Sequence, residues 1–404
     1  MSFLSTQIRQ HIDTISKNEP YPFFTYDLDG LAEHLQNLTS SVSDAGIKLW
    51  YAVKANPLSS IIKTIDKSGF NFDVASSGEL KQVLKQGIDP NRVLNTGPAK
   101  SKRQINEFIN LGVRTFVAES LNQVTWLNEE ATAQKVELDI LLRVQLRWPE
   151  GEKNPLGGDS LTPFGLGCEQ WQALNIAEHS QLNFTGLHIF QWGNMLSTEK
   201  LADLWSQMVA PLQQLATDLG FELKTLDLGG GLGIPYTEED KQLHWPELIE
   251  ALSLIKKNAG VEQLWMELGR YAVGEYGYYA NPVVEQKQNY GVDQLIMAGG
   301  INHILRPAVT SQDFPALLLR ESNAPSKSFN VHGPLCTALD SLGEHTFASD
   351  INENDWLVFN QCGAYGFTES MPYFLCHELA AEYVIENNQT HCIRPAQPAQ
   401  SYLY

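Results

Sequence analysis

The 404-residue chain carries a formal net charge of −19 and a pI near 4.9. That balance excludes nucleic acid and anionic membrane as main partners, because phosphate binding needs clustered Lys and Arg. Hydrophobic residues make up 43% and charged residues 19%, an ordinary globular composition, with no apolar stretch approaching the roughly 18 residues of a membrane span.

The chain is longer than one core usually serves, so two domains are expected. MSFLSTQIRQHIDTISKNEP at the start has acidic and polar residues where a signal peptide is continuously apolar. The five cysteines are an odd number without close pairs, which fits neither a disulfide framework nor a zinc site. A cytoplasmic protein with free thiols and no metal is the expectation.

PFFTYDLD (22–29) reads as a first strand. Eight short apolar runs then alternate with amphipathic stretches: KLWYAV (48–53), FDVAS (72–76), RVLNT (92–96), TFVAE (115–119), LDILLRVQL (138–146), GLHIFQ (186–191), TLDLG (225–229) and QLWMEL (263–268). Helix-like segments such as SSIIKTIDKSG and SGELKQVLKQG separate them. Eight strand–helix alternations predict a parallel (β/α)8 barrel, with a doubly wound open sheet as the other possibility. Beyond about residue 281 the texture becomes β-rich, in VVEQKQ, DQLIMAGG, PALLLRE, KSFNVHG, DWLVFNQCG and AEYVIEN. A barrel over 28–280 is expected, with 1–27 and 281–404 forming a β domain. There is no internal repeat or low-complexity segment.

Several islands carry chemistry. In WYAVKANP (50–57), Lys54 closes an apolar run. It reads as an exposed strand-end lysine or as a reactive amine in a dry pocket. DLGGGLGIPY (227–236) offers Gly229, Gly230, Gly231 and Gly233, a tight loop or a cradle of backbone N–H groups for an anion. It lacks the G-x-G-x-x-G spacing of a dinucleotide fold and the Lys-Ser/Thr of a P-loop. In ELGRYAV (267–273), Glu267 ends a strand and Arg270 follows Gly269; the two form an ion pair, or Arg270 clamps a phosphate with its planar fork. NHILRPA (302–308) holds Arg306, HGPLCTALD (332–340) holds Cys336, Thr337 and Asp340, and QCGAYGF (361–367) holds Tyr365.

In this order, and with DVASSGEL (73–80) after the lysine strand, the islands resemble the fold-type III pyridoxal-phosphate decarboxylases. That group contains diaminopimelate, ornithine and arginine decarboxylases. The resemblance runs from about residue 22 to 380 and implies a pyridoxal 5'-phosphate-binding (β/α)8 TIM barrel. It also implies a β-barrel or β-sandwich domain, the alanine racemase-like architecture. A homodimer follows, in which the Cys336 loop of one subunit completes the barrel site of the other.

By the same resemblance Lys54 is the amine that holds the cofactor covalently. Glu267 keeps the proton on its ring nitrogen, and Gly229 to Gly233 with Gly269, Arg270 and Tyr365 hold its phosphate. Asp73 joins the cofactor-binding residues. Cys336 returns a proton to the substrate carbon, Arg306 binds a carboxylate or shapes the pocket, and Asp340 supports.

Two departures stand out. GLHIFQWGN (186–194) has Phe190 where the family stacks a histidine on the cofactor ring, and Trp192-Gly193 where it has Gly-Ser. Strand alternation puts His188 on the same face as Phe190, so either is a candidate neighbour of the ring. After Cys336, basic-amino-acid decarboxylases carry Asp or Glu to bind the distal amine, and here stands Thr337. A hydroxyl removes that charge. The expected substrate is therefore an amino acid or conjugate without a free distal amine, as in carboxylate-siderophore or antibiotic assembly. A conventional diaminopimelate, ornithine or lysine decarboxylase, with Asp313 or Glu321 in the lost role, is the alternative; an amino-acid racemase and a catalytically inactive regulator are further ones.

Overall fold

A computed structural model describes residues 4–147, 153–154, 157–158, 162–310 and 312–403. Eight strands close a parallel barrel in the order Thr225–Asp227, Gln263–Leu268, Ile47–Ala52, Asn71–Val74, Val93–Asn95, Thr115–Ala118, Leu138–Arg143 and Leu182–His188. The strand pairings are parallel throughout, as helical crossovers require. Each of the eight apolar runs read from the sequence supplies one strand.

The sixth strand starts four residues earlier than GLHIFQ implies and ends at His188. Gly186, read as its beginning, lies inside it. A Cβ there would meet the Thr225 carbonyl oxygen at 2.3 Å, so the glycine marks a close approach of neighbouring strands rather than a break.

The crossover helices start where short polar side chains cap them. Ser76 accepts from Glu79 N while Glu79 reaches back to Ala75 N, and Ser120 accepts from Gln123 N while Gln123 reaches back to Glu119 N. Both are reciprocal start signals of the S-x-x-E/Q kind. Helices Thr198–Leu219 and Trp245–Ala259 end on Gly220 and Gly260 in the left-handed conformation.

The barrel interior is filled. Trp50, Leu94, Val117, Leu141 and Trp265, from five strands, form one buried apolar layer, with the two indoles at 4.7 Å between centroids.

The second compact unit comprises residues 1–33, 235–240 and 273–404; the barrel unit takes 34–234 and 241–272. The boundaries read from the sequence texture stood at 28 and 280, without the 235–240 piece. Nine strands make one mixed sheet in this unit. Phe23–Asp27 lies within it, antiparallel to Gly277–Asn289 and parallel to Ala381–Glu386. Against that sheet packs an N-terminal helix, Thr6–Ser16, through Ile8, Ile12 and Ile15.

Strands Ser341–Ala348 and Gln389–Arg394 escape the sequence reading because both are half-exposed and rich in polar residues. The five cysteines are free thiols. Among the described residues, no helix is long and apolar enough to cross a membrane.

Candidate active site

Side chains of a strand repeat their direction every second residue. Two residues beyond the apolar layer, the strands therefore place Ala52, Thr96, Glu119, Arg143 and Glu267 around the C-terminal mouth, and the 3-10 turn that follows Ala52 carries Lys54. Register adds the remaining members. Asp73 pairs with Ala52, His188 with both Arg143 and Asp227, and Asp227 with Trp265. A polar layer thus sits on an apolar one, at the end of the barrel where (β/α)8 enzymes build their sites.

Lys54 ends the first barrel strand in a short 3-10 turn and is exposed. Glu267, Asp227 and His188 are buried together, and one polar atom from each lies within 4.8 Å of the other two. His188 Nε2 stands 3.0 Å from Glu267 Oε1. Burial would push the Glu267 carboxyl up, but His188, its hydrogen bond and the charges of Lys54 and Arg143 outweigh that and hold it below the ordinary carboxylate range. Burial pushes His188 down, toward the neutral imidazole. Asp227 is pushed well up by burial and the Glu267 charge; its Oδ1 accepts from Gly229 N at 2.8 Å. Asp73 is raised to about 8 by burial and Glu267, against Lys54 and a 2.5 Å hydrogen bond from Thr96 Oγ1.

The glycine run follows the Asp227 strand directly. A Cβ on Gly230 would lie 2.1 Å from the Glu267 carbonyl oxygen, one on Gly231 2.4 Å from Trp192 O, and one on Gly233 2.7 Å from the Asn194 carbonyl carbon. Gly229 and Gly231 also have φ of +62° and +94°, which other residues rarely adopt. Side chains are excluded at all four glycines, while Leu232 between them is buried. Arg270 opens the short turn after Gly269, on the strand beside it.

Phe190 lies two residues past the strand end, where alternation no longer sets direction. It is half-buried, and its ring lies alongside Gly229 and Gly231. His188 and Phe190 therefore differ in role: the histidine meets Glu267 at the floor of the mouth, and the aromatic ring packs beside the glycine run.

Several mouth residues, Asp227 and Thr96 among them, were not singled out from the sequence. Arg143 bonds Glu119 at 3.2 Å, with side chains 7% and 2% exposed, and lies 4.3 Å from the Phe164 ring centroid. Lys100 is 2% exposed; its ammonium donates to Gly97 O, and burial lowers it to about 8 against the attraction of Glu119. The signal was available for Glu119, an ionisable residue that ends TFVAE, and for Arg143, a cation inside the apolar run LDILLRVQL; Lys100, four residues past RVLNT, had none.

The β unit gathers the other candidates. Asp340 is buried and accepts from Ile301 N at 2.8 Å and Leu335 N at 2.7 Å. A Cβ on Gly300 or Gly333 would strike its carboxyl. It holds the GPLC loop in shape, and that loop leaves Cys336 exposed and Thr337 half-buried. Thr337 Oγ1 accepts from Leu339 N at 3.2 Å. Arg306 forks onto Glu369 at 2.7 and 2.9 Å and stacks on Tyr365 at 4.6 Å, so its Nε and Nη2 donors are engaged within the unit. Tyr365 has φ of +55°, and a Cβ on Gly363 would meet Val273 O at 1.8 Å. Asp313 and Glu321 are exposed, Asp313 against Gly343.

The constellation has the donors that a phosphorylated pyridine aldehyde would need. It has an amine at the mouth, an ionised buried carboxyl below it, and a glycine cradle on the adjacent strand. Residues 28–274 match the pyridoxal-binding domain of the pyridoxal-dependent decarboxylases. The 2-[(L-alanin-3-ylcarbamoyl)methyl]-2-hydroxybutanedioate decarboxylase of Staphylococcus aureus is 27% identical over 376 residues, covering 90% of this chain and 93% of that protein. The diaminopimelate decarboxylase of Aquifex aeolicus is 26% identical, covering 92% and 88%. The crystal structure of diaminopimelate decarboxylase from Helicobacter pylori with L-lysine superposes with a TM-score of 0.87 at 21% identity, over 96% of this chain and 98% of that one. This chain belongs to the pyridoxal-dependent decarboxylases, carboxy-lyases that act on amino acids.

Proposed function

We propose that the chain α-decarboxylates an amino acid whose distal nitrogen is acylated, as a step of carboxylate-siderophore assembly. The observation that carries this is Thr337. It follows Cys336 directly, where family members acting on basic amino acids carry a carboxylate, and its hydroxyl already accepts from Leu339 N. An ammonium buried against it would lack a counter-charge. The S. aureus relative supports the reading, since its named substrate carries the nitrogen on the alanyl C3 as an amide rather than an amine.

When bound, pyridoxal phosphate supplies the electron sink for the bond that breaks to the carboxyl carbon. Lys54 would hold it covalently through its side-chain amine. Glu267 keeps a proton at the ring nitrogen, and the Gly229–Gly233 loop, with Arg270 and Tyr365, binds the phosphate through its inner amides, since Gly229 N and Gly233 N already donate to Asp227 Oδ1 and Met195 O. Asp73 lies on the strand that pairs with the one preceding Lys54, and the two charges attract. Phe190 offers an uncharged face to the ring. Cys336, from a second copy of the chain in a homodimer, returns the proton to the carbon that has lost carbon dioxide. Arg306, committed to Glu369, shapes the pocket there.

Carbon dioxide release over a substrate panel tests the specificity. Turnover of 2,3-diaminopropionate acylated on its distal nitrogen by a hydroxytricarboxylate is expected, with little for free ornithine, lysine or diaminopimelate. Brisk turnover of a free diamino acid sinks it in favour of a conventional decarboxylase. Mixing inactive Lys54→Ala and Cys336→Ala proteins tests the shared site: subunit exchange restores up to a quarter of wild-type activity if sites are built across copies, and none if each chain is self-sufficient.

A further inference from the structure

We propose that His188 is a positioning residue for Glu267, and that Asp227 completes the same acceptor as a neutral carboxyl. The inference rests on the reading of Glu267 as the group that holds the ring-nitrogen proton. His188 is 1% exposed in its side chain and Glu267 6%. Nε2 lies 3.0 Å from Glu267 Oε1, while Nδ1 is buried without a partner. A proton on Nδ1 would be a buried donor with nothing to receive it. The proton therefore sits on Nε2, and the neutral ring donates it to Glu267. One oxygen of Glu267 is thereby pinned, leaving Oε2 for the cofactor.

For Asp227 charge decides instead: it lies within 4.8 Å of the ionised Glu267, and a buried hydroxyl without a partner costs less than a buried charge without one. Asp227 Oδ1 accepts from Gly229 N, and its Oδ2 is buried without a partner. A second carboxylate this close to Glu267 would leave that oxygen bare and repelled. With the proton on Asp227 the trio carries one negative charge, matched to one cationic N–H. The other charged groups that face it are Lys54, Asp73, Lys100, Glu119 and Arg143. Because Asp227 also holds Gly229, the acceptor at the ring nitrogen and the first residue of the phosphate cradle share one anchor.

The test compares His188→Leu, His188→Gln, Asp227→Asn and Glu267→Gln, each prepared as apoenzyme and reloaded with pyridoxal phosphate. Cofactor affinity and the pH dependence of the visible absorption band of the bound cofactor are read beside carbon dioxide release. Losing a hydrogen bond to a charged group predicts that His188→Leu weakens cofactor binding about tenfold or more and shifts the band. His188→Gln, whose amide reaches the same oxygen, recovers most of both. Asp227→Asn shifts the band less than His188→Leu does. A His188→Leu protein with wild-type affinity and band overturns the positioning role, and an equal shift in Asp227→Asn overturns the neutral carboxyl. If leucine prevents folding, His188→Asn, too short to reach Glu267, carries the same contrast with glutamine. Should Glu267→Gln itself leave affinity and band unchanged, the reading of Glu267 fails; a changed Glu267→Gln beside an unchanged His188→Leu sinks this inference alone.

Discussion

Replacing Gly230 with alanine adds one methyl group where the structure has no room. The new Cβ would sit 2.1 Å from the Glu267 carbonyl oxygen, and ordinary contact begins at 3.4 Å, so cradle and strand must part by about 1.3 Å. They are tied at that point by Glu267 N donating to Gly229 O at 2.6 Å and by Leu228 N donating to Trp265 O at 3.1 Å. The obstacle is steric, since Gly230 is not in the left-handed region. Overpacking costs roughly 1–3 kcal/mol, and loosening a buried backbone hydrogen bond costs about 1–3 kcal/mol more. A total loss of about 2–6 kcal/mol follows, with cofactor affinity down some 10- to 100-fold because phosphate amides and ring acceptor are displaced together. Urea unfolding of the apoprotein and fluorescence titration with pyridoxal phosphate measure the two effects. Gly78→Ala is the control. Its Cβ finds only Ser76 Oγ at 3.7 Å, inside helix Ser77–Lys85, and it should stabilise by about 0.5 kcal/mol with affinity unchanged. Wild-type affinity in Gly230→Ala would refute the coupling of cradle to Glu267.

Borohydride reduction of the loaded protein should attach the cofactor to Lys54 and to no other lysine; labelled peptide from Lys100, or any label in Lys54→Ala, contradicts the assignment. Lys100 keeps a lowered pKa of about 8 in the fold, against an ordinary value near 10.5. The unfolded chain then binds more protons between those values, so this group's contribution to stability rises with pH across that window. Lys100→Met should be more stable relative to wild type at pH 7 than at pH 10, the gap closing by about 2–3 kcal/mol in urea, and a constant gap refutes it. Glu119→Leu strands the buried Arg143 guanidinium and should cost about 3–5 kcal/mol, most of it recovered in Glu119→Leu/Arg143→Met; additive losses in the double variant would deny the coupling.

The barrel was legible because parallel strands buried on both faces show as apolar runs, and KLWYAV or QLWMEL needs no tertiary information to be recognised. Strands at the rim of the β unit were not, because SLGEHTFA and QTHCIR alternate too weakly. Within the site, motif residues such as Lys54 and the glycine run could be picked from the sequence. The pairs that tune them could not: Glu119 with Arg143, and His188 with Glu267, lie 24 and 79 positions apart in the chain. Only closure of the barrel makes them neighbours. Phe190 shows the same limit, since its direction depends on where the strand ends.

The apolar layer of Trp50, Leu94, Val117, Leu141 and Trp265 has a further meaning for traffic. Beneath it Lys48 lies 4.9 Å and 5.2 Å from the centroids of the two indoles, at the far end of the barrel. Water and protons meet a stopper of packed hydrocarbon from that side. Exchange between the polar layer and solvent is thereby turned toward the C-terminal mouth, the end at which Lys54 stands.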